Sequence, residues 1–153
     1  MTPHPLTPHP VAILLVEDNP GDVQLMREAL REAFDETRAR IALHVARDGR
    51  EALAFLRREG VHVAAPRPGL ILLDLNLPYL NGHEVLAAVK ADPALRRIPV
   101  VMLTTSDAPA DVCAAYDHHV NSFITKPVDL DRFFAVVKDL DDYWLSLVRL
   151  SPE

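Results

Sequence analysis

The sequence is poor in cysteine, and this scarcity limits the chemistry open to the protein. Cys113 is the single cysteine among 153 residues, so the chain has no second thiol with which to form an internal disulfide. It also has no pair of thiolates for a metal site of the zinc-finger kind. Nothing in the cysteine content indicates an oxidising compartment, and we therefore expect a cytoplasmic protein.

Long apolar runs and clusters of positive charge are also missing. No apolar run approaches the roughly 18 residues that a transmembrane helix needs, and prolines interrupt any signal-peptide pattern at the N-terminus. The net charge is −6, with 22 acidic residues against 16 lysines and arginines. Because affinity for nucleic acid depends on neutralising phosphates, we expect neither a nucleic-acid partner nor a membrane partner.

What the sequence does contain is an alternation of apolar strands and amphipathic helices. Residues 1–10 repeat Thr-Pro-His-Pro and are predicted to form a flexible leader. Residues 11–150 are predicted to form one domain with an extended C-terminal helix and no effector domain. Apolar runs predict five strands, at residues 11–16, 41–46, 70–74, 99–104 and 122–126. Helical spacing predicts a helix after each strand, with apolar positions in 23–34, 52–56 and 85–89, a start at Pro109, and a long last helix from about Leu130. Such alternation predicts an α/β fold with a doubly wound, five-stranded parallel sheet.

Polar residues stand at the ends of these strands. In residues 70–78, four apolar residues lead into Asp74 and the segment stops at Pro78. Taken alone, Asp74 is as consistent with a cap or an ordinary turn as with a functional site. The other polar residues at strand ends are Glu17, Asp18, Thr104 and Lys126. In a doubly wound sheet with strand order 2-1-3-4-5, strands one and three are neighbours, so the three carboxylates converge at one edge.

Three carboxylates in a partly buried cleft repel one another, and a bound cation relieves that repulsion. Oxygen ligands with open coordination positions suit Mg²⁺. A carboxylate beside the metal, with a hydroxyl at Thr104 and an ammonium at Lys126, is typical of phosphoryl transfer. In this interpretation Asp74 attacks phosphorus, while the cation, Thr104 and Lys126 stabilise charge on the phosphoryl oxygens.

The chain resembles the receiver domain of two-component response regulators over nearly all of residues 11–148. The matching segments are ILLVEDNP (13–20), LILLDLNLP (70–78), VMLTTS (101–106) and FITKP (123–127). The resemblance implies the flavodoxin-like (βα)5 receiver fold and a fixed set of roles for the strand-end residues.

By resemblance, Asp74 is the phosphoacceptor, and Mg²⁺ is held by Glu17, Asp18, Asp74 and the backbone carbonyl of Asn76. Thr104 is the switch hydroxyl, and Lys126 pairs with the phosphoryl group. Phe123 is the aromatic residue that turns inward on activation. Glu17 stands where an aspartate is more frequent in the family.

The function implied is a single-domain phosphorylation switch that receives a phosphoryl group from a sensor histidine kinase. Phosphorylation then alters the face formed by the fourth helix, fifth strand and fifth helix, and the protein is not primarily a turnover enzyme. One alternative is a Mg²⁺-dependent phosphohydrolase, although Asn76 stands where that class usually has a second acid. The other is an interaction module that acts without phosphorylation. A nucleotide-binding fold is disfavoured, because neither a Gly-x-Gly-x-x-Gly segment nor a Walker lysine loop occurs.

The C-terminal helix predicts a second functional surface. Its apolar positions cover roughly 220° of the helix circumference, more than one buried stripe requires. We expect a homodimer, with contacts at Val136, Leu140, Tyr143, Trp144 and Leu147; the alternative is that the last turns fray or fold back. Residues 119–127 and 133–145 also resemble the stand-alone regulators of phytochrome-type light-sensing histidine kinases, which implies such a kinase as partner.

Overall fold

The computed structural model describes residues 11–35, 41–104 and 122–125, together with the single positions 131 and 135. The strands in this part of the chain are β1 (Val11–Val16), β2 (Ile41–Ala46), β3 (Leu70–Asp74), β4 (Val100–Thr104) and β5 (Ser122–Thr125). The helices are α1 (Pro20–Asp35), α2 (Gly49–Arg57) and α3 (Gly82–Ala91). A short 3-10 turn, Gly60–His62, lies between α2 and β3.

All five strands form one parallel sheet with the order β2-β1-β3-β4-β5. This confirms the predicted doubly wound architecture. The interior strand β1 pairs with β2 on one side and with β3 on the other, and Val16 lies opposite both Ala46 and Leu73. The ends of β1 and β3 therefore lie side by side, so the residues that follow Val16 and Leu73 emerge at the same edge of the sheet.

Helices on both faces explain why β1 and β3 are continuous apolar runs. Residues 12–16 and 70–74 are buried throughout. Alternate side chains enter two clusters: Leu14, Val16, Ile71 and Leu73 pack in the cluster that contains α2 and α3, while Ile13, Leu15, Leu70 and Leu72 pack in the cluster that contains α1. Full burial of such a side chain stabilises the folded state by about 1.5–3 kcal/mol. The two strands are therefore firmly held in the core, and they support the polar residues at their ends.

Several predictions concern residues outside the described part of the chain. These are the leader (1–10), the fourth helix, all of the fifth helix except positions 131 and 135, Lys126, and the dimer contacts at Val136, Leu140, Tyr143, Trp144 and Leu147. Within the described residues, no helix has the length and apolar character needed to cross a membrane.

Candidate functional site

Three carboxylates meet at the carboxyl edge of the sheet. Glu17 and Asp18 directly follow β1, and Asp74 is the last residue of β3. One carboxylate oxygen from each of the three lies within 4.8 Å of the others. The structure thus brings together the acids whose convergence the strand order predicts.

The burial of these acids makes their proximity costly. Glu17 is 1% exposed and Asp74 is 4% exposed, whereas Asp18 is open to solvent. Negative charges this close repel each other, and burial weakens the screening that water provides. A divalent cation relieves both effects, and carboxylate oxygens are the ligands that Mg²⁺ and Mn²⁺ prefer. The donor set therefore fits a divalent metal ion.

A tight turn from β1 into α1 positions the first two acids. The backbone N–H of Glu17 donates to Ala46 O at 2.9 Å, which extends the pairing of β1 with β2 by one residue. The Glu17 carboxylate in turn accepts the backbone N–H of Asn19 at 3.3 Å. Asn19 Oδ1 accepts the N–H of Asp22 at 3.0 Å and so caps α1, which begins at Pro20. Asp18 is held in this turn between the strand and the helix.

The third acid is held by its neighbours on both sides. Asp74 lies opposite Leu103 of β4, and the N–H of Leu75 donates to Leu103 O at 2.8 Å. The N–H of Asn76 donates to Asp74 Oδ1 at 3.2 Å, which fixes the direction of the carboxylate. Gly82 N–H donates to Leu75 O at 2.8 Å, so the first turn of α3 packs against the backbone that follows Asp74.

Thr104 lies at the same edge, one strand away. It is the last residue of β4 and is fully buried. Leu103 pairs with Asp74, the last residue of β3. Thr104, one residue further along β4, therefore lies beside the point where the chain leaves β3. Phe123 lies in β5 opposite Met102, and Lys126 lies outside the described residues.

The loop between β3 and α3, residues 75–81, contains features that were not predicted. Asn81 and Glu84 form a reciprocal capping box: Asn81 Oδ1 accepts Glu84 N–H at 2.9 Å, and Glu84 Oε1 accepts Asn81 N–H at 3.1 Å. Their spacing is a recognisable sequence signal for a helix start. Tyr79 has a positive φ of 69°, and the Arg50 guanidinium carbon lies 3.7 Å from its ring centroid. No local pattern indicates that contact.

Comparison with known proteins agrees with this geometry. Residues 13–138 match the response regulator receiver domain family. The chain is 46% identical over 141 residues to the response regulator Rcp1 of Synechocystis sp., covering 92% of this chain and 93% of Rcp1. It resembles the crystal structure of the phosphorylated cyanobacterial phytochrome response regulator RcpA with a TM-score of 0.76 and 47% identity, over 91% of this chain and 96% of RcpA. The Mn²⁺-bound form of Rcp1 gives a TM-score of 0.72 and 45% identity, over 89% of this chain and 95% of Rcp1. The similarity thus spans the sheet and all three carboxylates.

Proposed function

Because this chain belongs to the response regulator receiver domain family, we propose that Asp74 is the residue that accepts its phosphoryl group. Response regulators act in phosphorelay signalling with a histidine kinase as partner. The observation that carries the assignment is the cluster of Glu17, Asp18 and Asp74, with carboxylate oxygens within 4.8 Å of one another. Of the three, Asp74 lies between the two acids that follow β1 and the buried Thr104 of β4.

The proposed reaction is an in-line transfer from a phosphohistidine to a carboxylate. An oxygen of Asp74 attacks phosphorus, the P–N bond breaks, and the imidazole leaves with the electron pair of that bond. The product is an acyl phosphate on Asp74. The Thr104 hydroxyl donates a hydrogen bond to a phosphoryl oxygen, and the Lys126 ammonium pairs with another. The chain thus catalyses its own modification and is not a turnover enzyme.

Receiver domains bind a divalent metal at their acidic pocket, and we propose that Mg²⁺ is the ion in this protein. The carboxylates of Glu17, Asp18 and Asp74, with the backbone carbonyl of Asn76, would hold it. When bound, Mg²⁺ supplies positive charge that offsets the negative charge of the phosphoryl oxygens. Oxygen donors alone, with part of the shell left for water and phosphate, favour this ion over softer metals.

We propose that the kinase partner is of the phytochrome type. This is supported by about 46% identity to Rcp1 and by the backbone similarity to RcpA, a phytochrome response regulator. Phosphotransfer from purified histidine kinases tests the pairing: a phytochrome-type kinase is expected to transfer its phosphoryl group faster than unrelated sensor kinases. Equal or slower transfer would reject this partner.

We propose that the output is a change on the face that includes β5, relayed by Thr104 and Phe123, and that this face joins two copies of the chain. The support is the width of the apolar surface predicted on the C-terminal helix. Removal of residues 141–153 is expected to give a monomer on a sizing column, and an unchanged dimer would reject this helix as the contact.

A small phosphodonor tests the central assignment directly. Wild type incubated with Mg²⁺ and phosphoramidate is expected to gain one phosphoryl group by intact mass, and Asp74→Asn to gain none. Asp92→Asn is the matched control, because Asp92 follows α3 at the opposite edge of the sheet, and the asparagine can still accept the Ala94 N–H. A phosphoryl group gained by Asp74→Asn would show that another residue is the acceptor. Continuous donor hydrolysis would support a phosphohydrolase, and a wild type without label would support an interaction module.

A further inference from the structure

Tyr79 has a backbone conformation that its side chain disfavours. Its φ of 69° lies in the left-handed region, where residues with a β-carbon are rare and glycine or asparagine is the usual choice. Its side chain is 70% exposed, so burial of the ring compensates for little of this strain. The ring does, however, take part in an interaction at the protein surface.

Arg50 provides that interaction. This arginine is the second residue of α2, and its guanidinium carbon lies 3.7 Å from the centroid of the Tyr79 ring. A cation at this distance from an aromatic face is attracted by the ring quadrupole. The contact joins two elements that are far apart in the sequence, the start of α2 and the loop that follows Asp74.

The same two elements also touch through their backbones. A β-carbon at Gly49 would lie 2.5 Å from Leu80 O and 2.6 Å from Leu80 Cβ, so this glycine permits close approach of α2 to the loop. Leu80 packs against the core cluster that contains α2 and α3. Arg50 and Tyr79 therefore form the outer part of a contact whose inner part is Gly49 and Leu80.

This contact restrains the segment that carries Asn76. Asn76 is exposed, and its backbone N–H donates a hydrogen bond to Asp74 Oδ1 at 3.2 Å. Between Asn76 and the α2 contact lie only Leu77, which is half-buried, and the exposed Pro78. The path of the loop at Asn76 thus depends on where Tyr79 and Leu80 are fastened.

We propose that Arg50 and Tyr79 are positioning residues, which hold the loop so that Asn76 and Asp74 keep the arrangement needed for metal binding. Neither residue is a metal ligand, and the proposal rests on the proposed function of the carboxylate site. It extends the site from the ends of β1 and β3 to the first turn of α2.

Replacement of Tyr79 by glycine separates positioning from fold stability. Glycine adopts the positive φ without strain, so Tyr79→Gly is expected to leave the free energy of unfolding of the metal-free protein undiminished. Loss of the ring frees the loop, so its backbone amides at 76–81 are expected to exchange faster with solvent. The Mn²⁺ dissociation constant, measured by electron paramagnetic resonance, is expected to rise about two- to fivefold.

Three further variants define the origin of the effect. Tyr79→Phe keeps the aromatic face and is expected to retain wild-type Mn²⁺ affinity and loop exchange. Arg50→Gln removes the cation and is expected to match Tyr79→Gly. The double variant Arg50→Gln with Tyr79→Gly is expected to bind Mn²⁺ as tightly as either single variant and to show the same loop exchange, because both substitutions remove the same interaction.

Wild-type Mn²⁺ affinity and wild-type loop exchange in Tyr79→Gly and Arg50→Gln would overturn the proposal. Failure of the carboxylate site has a different signature: wild type would bind no Mn²⁺, or Asp74→Asn would bind it equally well. The exchange measurement uses metal-free protein, so it decides in that case too whether Arg50 and Tyr79 hold the loop.

Discussion

The absence of a side chain at Gly82 allows α3 to pack closely against the backbone of Asp74. A β-carbon at this position would lie 2.6 Å from Asp74 O and 2.7 Å from Leu75 Cα. Both atoms belong to the backbone at the end of β3, which is paired with β4 and has little freedom to move. The first turn of α3 therefore reaches the candidate site only because residue 82 has no β-carbon.

Substitution of Gly82 by alanine is expected to reduce the free energy of unfolding by about 1–3 kcal/mol, the usual cost of forcing an extra carbon into a packed site. Urea denaturation measures this loss. Gly21→Ala is the matched control, since Gly21 also lies in a first helical turn, but its nearest atom is the side-chain Asn19 Oδ1 at 3.2 Å. Because alanine has the higher helix propensity, that variant is expected to be neutral or slightly stabilising. Equal losses in the two variants would contradict the close approach as the cause.

The individual site residues differ in how far the sequence predicts them. Glu17, Asp18 and Asp74 each follow an apolar run, and the strand order alone brings them to one edge. The contact of Arg50 with Tyr79 has no comparable signal, because it depends on the path of a loop and on the position of α2. The φ of Tyr79 is also unexpected, since nothing in an aromatic side chain favours the left-handed region.

At the level of elements, the connection from α3 to β4 is held by a half-buried lysine. Lys90 Nζ donates to Arg96 O and to Ile98 O, each at 3.0 Å, and so fixes the chain just before β4 begins. Burial lowers the pKa of Lys90 from its usual value, because the charged form loses hydration. The lysine thus ties the C-terminal end of α3 to the strand that ends on Thr104.

Lys90→Met is expected to lower the free energy of unfolding by about 1–2 kcal/mol at pH 7, since both carbonyls lose a donor. The pKa is lower in the folded than in the unfolded protein, so the unfolded chain binds more protons between the two values. Within that window the wild-type contribution of Lys90 to stability therefore rises with pH, up to the unfolded value near 10.5. The difference in free energy of unfolding between wild type and Lys90→Met, measured by urea denaturation from pH 7 to 10.5, is expected to increase with pH. A difference that decreases with pH would contradict burial as the cause of the shift.

Elements buried on both faces are the ones that the sequence predicts best. β1 and β3 are continuous apolar runs because helices cover both sides of them, and the predicted bounds agree with the observed ones. The 3-10 turn at Gly60–His62 was not predicted, since three residues are too few for a periodic pattern. A strand that is covered on both faces must be apolar along its length, and this can be recognised in the sequence. A short surface turn imposes no such requirement.

For the whole molecule, the proposed metal site at the carboxylate cluster would link folding to metal binding. Without a cation, three acids within 4.8 Å oppose the folded state, because unfolding separates their charges. With a bound cation, the same oxygens stabilise the folded state, because the ion binds folded protein only. If these three acids hold the cation, as proposed, metal concentration decides whether the cluster lowers or raises the free energy of unfolding.

This predicts that the effect of Asp18→Asn on the free energy of unfolding changes sign when metal is added. Asp18 is exposed, so the substitution disturbs no packing and removes one of three like charges. Without metal, the variant is expected to be more stable than wild type by about 1 kcal/mol. In saturating Mg²⁺, wild type gains about 1.4 kcal/mol for each tenfold excess over its dissociation constant, and the variant gains less, so the order of stability reverses. Urea denaturation with a chelator and with Mg²⁺ measures both, with Asp92→Asn as the control whose offset from wild type stays constant. An Asp18→Asn offset that Mg²⁺ leaves unchanged would remove Asp18 from the metal site.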